Sequence, residues 1–274
     1  MALYADSLAL NLLRKNFNIS NDDNKPIIAL AGNPNTGKST IFNGLTGLRQ
    51  HTGNWPGKTV GRAEGYFKYK EEEFLIIDLP GTYSLLANST EELIARDFIC
   101  FARPDLTLVV ADATNLERNL NLVLQVLELS TNTILVLNLL DEARRKGIKI
   151  DVKKLEACLQ VPVIPAVARE GLGLEEIKKT CYQISKEKIK IKGFKITYSR
   201  EIEEKIEELI PLLKRKLPFL QKRINWRWLA LRLLEGDKTI LASINTYYPI
   251  YQERVNIFQK GEVQLDGFNQ VWLK

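Results

Sequence analysis

Gly32-Asn33-Pro34-Asn35-Thr36-Gly37-Lys38-Ser39, followed by Thr40, fits the pattern GxxxxGK[ST]. The apolar run before it reads as a strand and the residues after it as a helix, the setting in which this pattern holds phosphate. Its glycines let the backbone wrap so that N–H groups converge on phosphate oxygens, and the helix N-terminus adds positive potential. Lys38 is expected to reach β- and γ-phosphates, and the Ser39 hydroxyl to bind Mg²⁺.

Asp78-Leu79-Pro80-Gly81 ends a second apolar strand. A carboxylate there holds Mg²⁺ through water, and the Gly81 N–H can sense a γ-phosphate. Thr59, in the stretch QHTGNWPGKTV (50–60), stands where a switch threonine would complete Mg²⁺ coordination in the triphosphate state. Asn138-Leu139-Leu140-Asp141 ends a third strand and points to the base. A carboxylate accepts from guanine's N1–H and N2–H₂ together, and adenine offers no such donor pair, so Asp141 selects guanine while Asn138 braces the pocket. Leu139 supplies apolar cover but no charge. In Pro165-Ala166-Val167-Ala168-Arg169, Val167 stands where a hydroxyl residue is usual, and the Ala168 N–H can meet guanine O6.

These groups need a scaffold that brings several strand ends together. From Pro26 to about Lys179 short β-rich runs (27–31, 63–69, 73–78, 106–111, 132–138, 161–165) alternate with helical stretches (38–47, 91–101, 115–129, 151–159, 173–185). That alternation predicts an α/β domain with a mostly parallel sheet flanked by helices. After residue 198 the period changes: Ile202, Ile206, Leu209, Ile210 and Leu213 recur at helical spacing, and a second helix, Trp226–Leu234, stops at Gly236. The expected division is an N-terminal arm (1–24), a nucleotide-binding domain (25–185) and a small all-helical domain (186–274). The arm reads as an amphipathic helix or a mobile segment. Residues 189–198 suit an extended link or an edge strand.

Composition sets bounds on function. With 45% hydrophobic and 26% charged residues the chain is an ordinary globular one, and it has no stretch apolar enough to span a bilayer. Its N-terminus does not have the form of a secretory signal. Cys100, Cys158 and Cys181 each fall in an apolar stretch and read as buried thiols, while His51, the one histidine, cannot build a metal site alone. The net charge of +6 is local: residues 178–223 hold 14 Lys/Arg against 6 Asp/Glu, which leaves −2 for the remainder. Such a block is either a solvated helix face or a surface for an anionic partner.

GNPNTGKST, GNWPGKT, DLPGTYSL and NLLD together resemble the FeoB family, bacterial ferrous iron transport protein B, over about residues 27–180. More loosely, Trp228-Leu229-Ala230 and Leu234-Glu235-Gly236-Asp237 resemble that family's helical spacer, a GDP-dissociation-inhibitor-like domain. The resemblance implies a P-loop GTPase that binds GTP and GDP, sits at the cytoplasmic face of the bacterial inner membrane, and works on a C-terminal transmembrane iron-transport domain. This chain is then expected to be a soluble N-terminal fragment, with that domain as partner, self-association as a further option, and no nucleic acid. Related GTPases with Asn in this part of the P-loop use K⁺, which places Asn35 on that cation with carbonyls around Gly53 and Trp55. Thr82 stands where many GTPases carry a water-orienting Gln, so hydrolysis is expected to be slow. It would rest on Lys38, Thr59, Gly81 and Asn35 for positioning and charge neutralisation.

Two other readings use the same motifs. An Era-like RNA- or ribosome-associated GTPase shares the P-loop Asn, but its KH domain needs a GXXG loop among strands, and none occurs after residue 198. A nucleotide-sensing module would bind GTP and signal through its helices without turnover, and single-turnover hydrolysis separates it from an enzyme.

Overall fold

A computed structural model describes residues 10–19, 25–47, 50–130, 132–189, 191 and 195–249. The chain divides into two compact units, Met1–Lys195 and Ile196–Lys274.

The first unit is built on a seven-stranded sheet of order β2-β3-β4-β1-β5-β6-β7. Its strands are β1 (Ile27–Gly32), β2 (Gln50–Asn54), β3 (Gly61–Tyr69), β4 (Glu72–Asp78), β5 (Leu106–Asp112), β6 (Thr133–Asn138) and β7 (Val163–Pro165). Every residue of β1 and β6 is buried, as expected where helices cover both faces of central parallel strands. β1 lies between β4 and β5 and runs parallel to both, while β2/β3 and β3/β4 are antiparallel. Because the strand order reverses around β1, a crevice opens at the carboxyl ends of the strands there. Gly32, Asp78 and Asn138 all stand at such ends.

Helices α1 (Lys38–Thr46), α2 (Thr90–Asp97), α3 (Leu116–Leu129), α4 (Leu140–Arg145), α5 (Val152–Leu159) and α6 (Leu174–Ser185) accompany the sheet. Under one face Ile28, Leu30, Ile41, Phe42, Val136 and Ile177 belong to a single buried cluster, with Phe67 and Phe74 stacked 5.0 Å apart. The helix expected at 91–101 is α2 capped by Ser89, whose Oγ accepts from Glu92 N at 3.1 Å, and it continues as a π-helical turn, Phe98–Ala102. Segment 50–60 opens as β2 and then buries Trp55 to 2% exposure, so the side chain is a core anchor. Of the three cysteines, Cys100 and Cys181 are buried as expected, and burial pushes both thiols up. Cys158 is exposed, on the outer side of α5.

Residues 10–15 are helical, which favours the helix over the mobile arm for this part of the N-terminus; residues 1–9 and 20–24 lie outside the described residues. Part of 189–198 also lies outside them, and the described remainder is neither helix nor strand up to Ser199.

The second unit is helical: α7 (Arg200–Lys216), α8 (Trp226–Leu234) and α9 (Thr239–Tyr247). Ile206, Leu209 and Leu213 are buried on one face of α7, as their spacing predicts, and Ile202 and Ile210 flank them half-buried. Asn225 caps α8, accepting from Arg227 N at 3.1 Å and Trp228 N at 3.2 Å. Arg227 holds both oxygens of Glu203, at 2.5 and 2.7 Å, and the Ile196 carbonyl at 2.8 Å. The third helix, α9, buries Ile240, Leu241 and Ile244. Among the described residues no helix is long and apolar enough to cross a membrane.

Candidate functional site

The loop between β1 and α1 needs two unusual backbone conformations, and it has residues that adopt them. Asn35 (φ 65°) and Gly37 (φ 81°) both lie in the left-handed region, where Asn and Gly meet the smallest steric penalty. Thr36 Oγ1 donates to Asn33 O at 2.9 Å and closes the turn. Asn33, Pro34, Asn35, Gly37, Lys38, Ser39, Thr40 and Gly81 line a cavity of about 590 Å³ over the start of α1. Asn33 is 3% exposed, and among the described residues both polar atoms of its amide are buried without a partner.

The Asp78-to-Gly81 turn packs directly on this loop. Leu79 N donates to Leu30 O at 2.9 Å and Thr82 N to Gly32 O at 3.3 Å, and a side chain on Gly81 would touch the Pro34 backbone at 3.4 Å. Lys38 Nζ forms an ion pair with Asp78 Oδ1 and donates to Leu79 O at 2.6 Å. Burial raises the Asp78 carboxyl above its ordinary range, and the Lys38 charge opposes that shift.

Asn138 joins the phosphate loop to the base loop. Its Nδ2 donates to Thr36 O at 2.9 Å and its Oδ1 accepts from Ala168 N at 3.0 Å, with the side chain buried. The Ala168 N–H that the sequence places on guanine O6 is thus engaged by Asn138. Val167 is buried and pairs with Leu172 through two backbone hydrogen bonds, 3.1 and 3.3 Å, which shape the turn without a hydroxyl. Leu139 enters α4 from the left-handed region (φ 62°), half-buried beside the base loop. Asp141 Oδ2 is ion-paired with Arg169, while Oδ1 is buried and has no partner among the described residues. The Arg169 pairing escaped the sequence reading. Arg169 is 28 positions from Asp141, and only the β7 turn brings it alongside.

The switch candidates are not at the cavity. Thr59 is exposed in the turn between β2 and β3 and does not line it. Gly53 pairs with Arg62 in the sheet, and the Trp55 carbonyl accepts from Lys58 N at 3.0 Å, so neither is presented to Asn35 in this arrangement. Two tethers of the segment after Gly81 were also invisible in the sequence. Gln125 Oε1 accepts from Leu85 N at 2.6 Å, and Glu92 accepts from Ser84 Oγ at 2.7 Å and Asn88 N at 2.9 Å.

Comparison with known proteins gives concordant matches. Residues 26–181 match the family described as ferrous iron transport protein B, and residues 198–266 match the FeoB cytosolic helical domain. The chain is 43% identical over 213 residues to the Fe(2+) transport protein A/Fe(2+) transporter FeoB fusion protein of Porphyromonas gingivalis, covering 77% of this chain and 25% of that protein. It is 42% identical over 217 residues to the Fe(2+) transporter FeoB of Escherichia coli K12, covering 78% and 27% respectively. It therefore spans about a quarter of the length of these curated relatives. Among solved structures, the cytosolic domain of T. maritima FeoB in GDP form I is similar with TM-score 0.73 and 34% identity, over 90% of this chain and 97% of that one. The FeoB G-domain from Methanococcus jannaschii is similar with TM-score 0.53 and 50% identity, over 59% and 98%.

Proposed function

The chain belongs to the ferrous iron transport protein B family, and we propose that it is a slow GTPase whose nucleotide state regulates Fe²⁺ uptake through a transmembrane domain, at the cytoplasmic face of the bacterial inner membrane. In this reading residues 25–185 are the nucleotide-binding domain, and 186–274 are a spacer that conveys its state. The match of residues 198–266 to the FeoB cytosolic helical domain supports this reading over that of an RNA-associated GTPase with a KH domain. Self-association of the cytosolic part is a further element of the proposal.

One observation carries the reading. Asn138 ties the phosphate loop to the base loop, and beside it a carboxylate oxygen, Asp141 Oδ1, is buried with no partner among the described residues. An unpaired buried acceptor is costly, and guanine's N–H groups would relieve it. The unpartnered Asn33 amide and the cavity over α1 give the phosphates the same kind of complement.

Within this site Lys38 exchanges its Asp78 partner for phosphate oxygens, and the loop N–H groups between Gly32 and Thr40 hold them in line. Ser39, Asp78 and Thr59 are the residues to hold Mg²⁺. Asn35 is the residue that would hold K⁺, and the Gly53 and Trp55 carbonyls would join it only if the 50–60 segment rearranged. When bound, the cations supply positive charge against developing charge on the phosphate oxygens. The Gly81 N–H orients the γ-phosphate. Since Thr82 is buried and cannot act as a base, turnover rests on positioning.

Calorimetric titration of GDP, GTP and ATP against parent and Asp141→Ala tests the reading. Loss of a carboxylate that accepts two hydrogen bonds costs about 2–4 kcal/mol, so GDP affinity should fall by tens- to hundreds-fold with the fold intact. Equal binding of ATP and GTP by the parent would refute it.

A further inference from the structure

We propose that the N-terminal segment, residues 10–19, is an intramolecular strap that holds the 50–60 segment with Trp55 buried and so biases the protein toward its GDP state. The inference rests on the reading of 50–60 as the nucleotide-responsive switch. The strap precedes the family match, which begins at residue 26, so it is an addition to the nucleotide-binding fold.

The segment is anchored at one end by Arg14. Its Nε donates to Ala102 O at 3.1 Å and its Nη2 to Arg103 O at 2.9 Å, with Asp105 Oδ2 at 3.2 Å. These carbonyls close the π-helical turn after α2, where Arg103 (φ 48°) ends the helix. A guanidinium at a helix C-terminus meets both unsatisfied carbonyls and the negative end of the dipole. Leu13, Phe17 and Ile19 are buried alongside.

At the other end the segment reaches Trp55 from two sides. Phe17 packs edge-on against Phe98, with ring centroids 5.4 Å apart, and Phe98 packs edge-on against Trp55 at 5.5 Å. Arg62 Nη1 donates to Phe17 O at 2.5 Å, and the same guanidinium lies over the Trp55 ring at 5.3 Å while Nη2 pairs with Glu64. Phe98 and Arg62, two groups that contact the Trp55 ring, are therefore both contacted by Phe17. Such aromatic and cation–π contacts hold the ring through packing geometry.

The pocket is imperfect for its occupant. Among the described residues, Trp55 Nε1 is buried without a hydrogen-bond partner, a penalty that release of the side chain would remove. An anchor opposed by an orphan donor is suited to a two-state element, because each state keeps one advantage. A strap that contacts only the closed state shifts the balance by its differential contact with the two. GTP, which requires Thr59 at the metal, must then act against the strap, whereas GDP need not.

The test uses Phe17→Ala in the full chain, with Arg14→Ala as a second variant that loosens the strap from its far anchor without touching the Trp55 pocket. Hydrogen exchange of residues 50–60 is measured without nucleotide, and affinities are measured for GDP and a non-hydrolysable GTP analogue. Both variants should speed exchange in 50–60 several-fold and raise the analogue-to-GDP affinity ratio several-fold, with GDP affinity near that of the parent. Unchanged exchange in both variants overturns the strap, and faster exchange with an unchanged ratio overturns its control of nucleotide state. Failure of the switch reading itself shows separately, as a parent whose 50–60 exchange is the same with GDP and with the analogue. Should Phe17→Ala not fold, Arg14→Ala alone decides.

Discussion

Asn138 Nδ2 occupies the space that a side chain at Gly37 would need: a Cβ there would lie 2.3 Å from that nitrogen. The phosphate loop and the base loop are thus in steric as well as hydrogen-bonded contact. Gly37→Ala meets two penalties, about 1 kcal/mol for alanine in the left-handed region and displacement of Asn138 from Thr36 O. GDP affinity should fall at least tenfold. Asn138→Ala removes the clash but not the backbone strain, so the double variant should cost less than the sum of the singles. A double-mutant cycle by calorimetry checks this, and additive losses would show the two loops to be independent.

Asp78 gives the stability a pH dependence of defined sign. Burial raises its carboxyl in the folded chain, so the folded state binds the proton more tightly than the unfolded state does. Its contribution favours folding below the ordinary carboxylate range and is lost as pH rises through the raised value. Asp78→Asn lacks this titration. The parent's stability relative to the variant should therefore decline as pH rises through that window and then level off. Urea midpoints for both proteins across the acidic range measure it, and a difference that grows with pH would mean that Lys38 outweighs burial.

Asn35 is the position at which K⁺ dependence is decided. Because its φ is 65°, Asn35→Gly removes the amide without backbone strain, whereas Asn35→Ala adds some. Replacing Na⁺ by K⁺ at constant ionic strength should speed the parent's GTP hydrolysis several-fold, equivalent to about 1 kcal/mol in the barrier. Asn35→Gly should lose that difference and keep its GDP affinity. A variant that retains full stimulation would place K⁺ elsewhere or nowhere.

Much of this molecule was legible because its signals are local. The apolar runs of β1, β5 and β6 have no polar face, so parallel central strands were the one way to bury them. GxxxxGKS, DLPG and NLLD announce themselves because each needs particular residue types at strand ends. What stayed hidden depends on distant partners. No spacing rule joins Arg169 to Asp141, Gln125 to Leu85, or Arg62 to Phe17, since each pair meets only once the sheet is assembled. The burial of Trp55 is hidden for the same reason: its glycine and proline neighbours say nothing of the aromatic wall that covers it, which comes from α2's extension and the N-terminus.

The border of the sheet is made of the segment proposed to move. β2 is an edge strand, matched residue for residue with β3 from Gln50–Gly65 to Asn54–Gly61. Were those residues to peel away and carry Thr59 to the metal, the backbone of β3 between Gly61 and Gly65 would become the new rim, with its amides and carbonyls unspent. An open rim of that kind is a template for another strand. Nucleotide exchange would then change which surface the protein can zip to, a conversion of phosphate chemistry into adhesive edge.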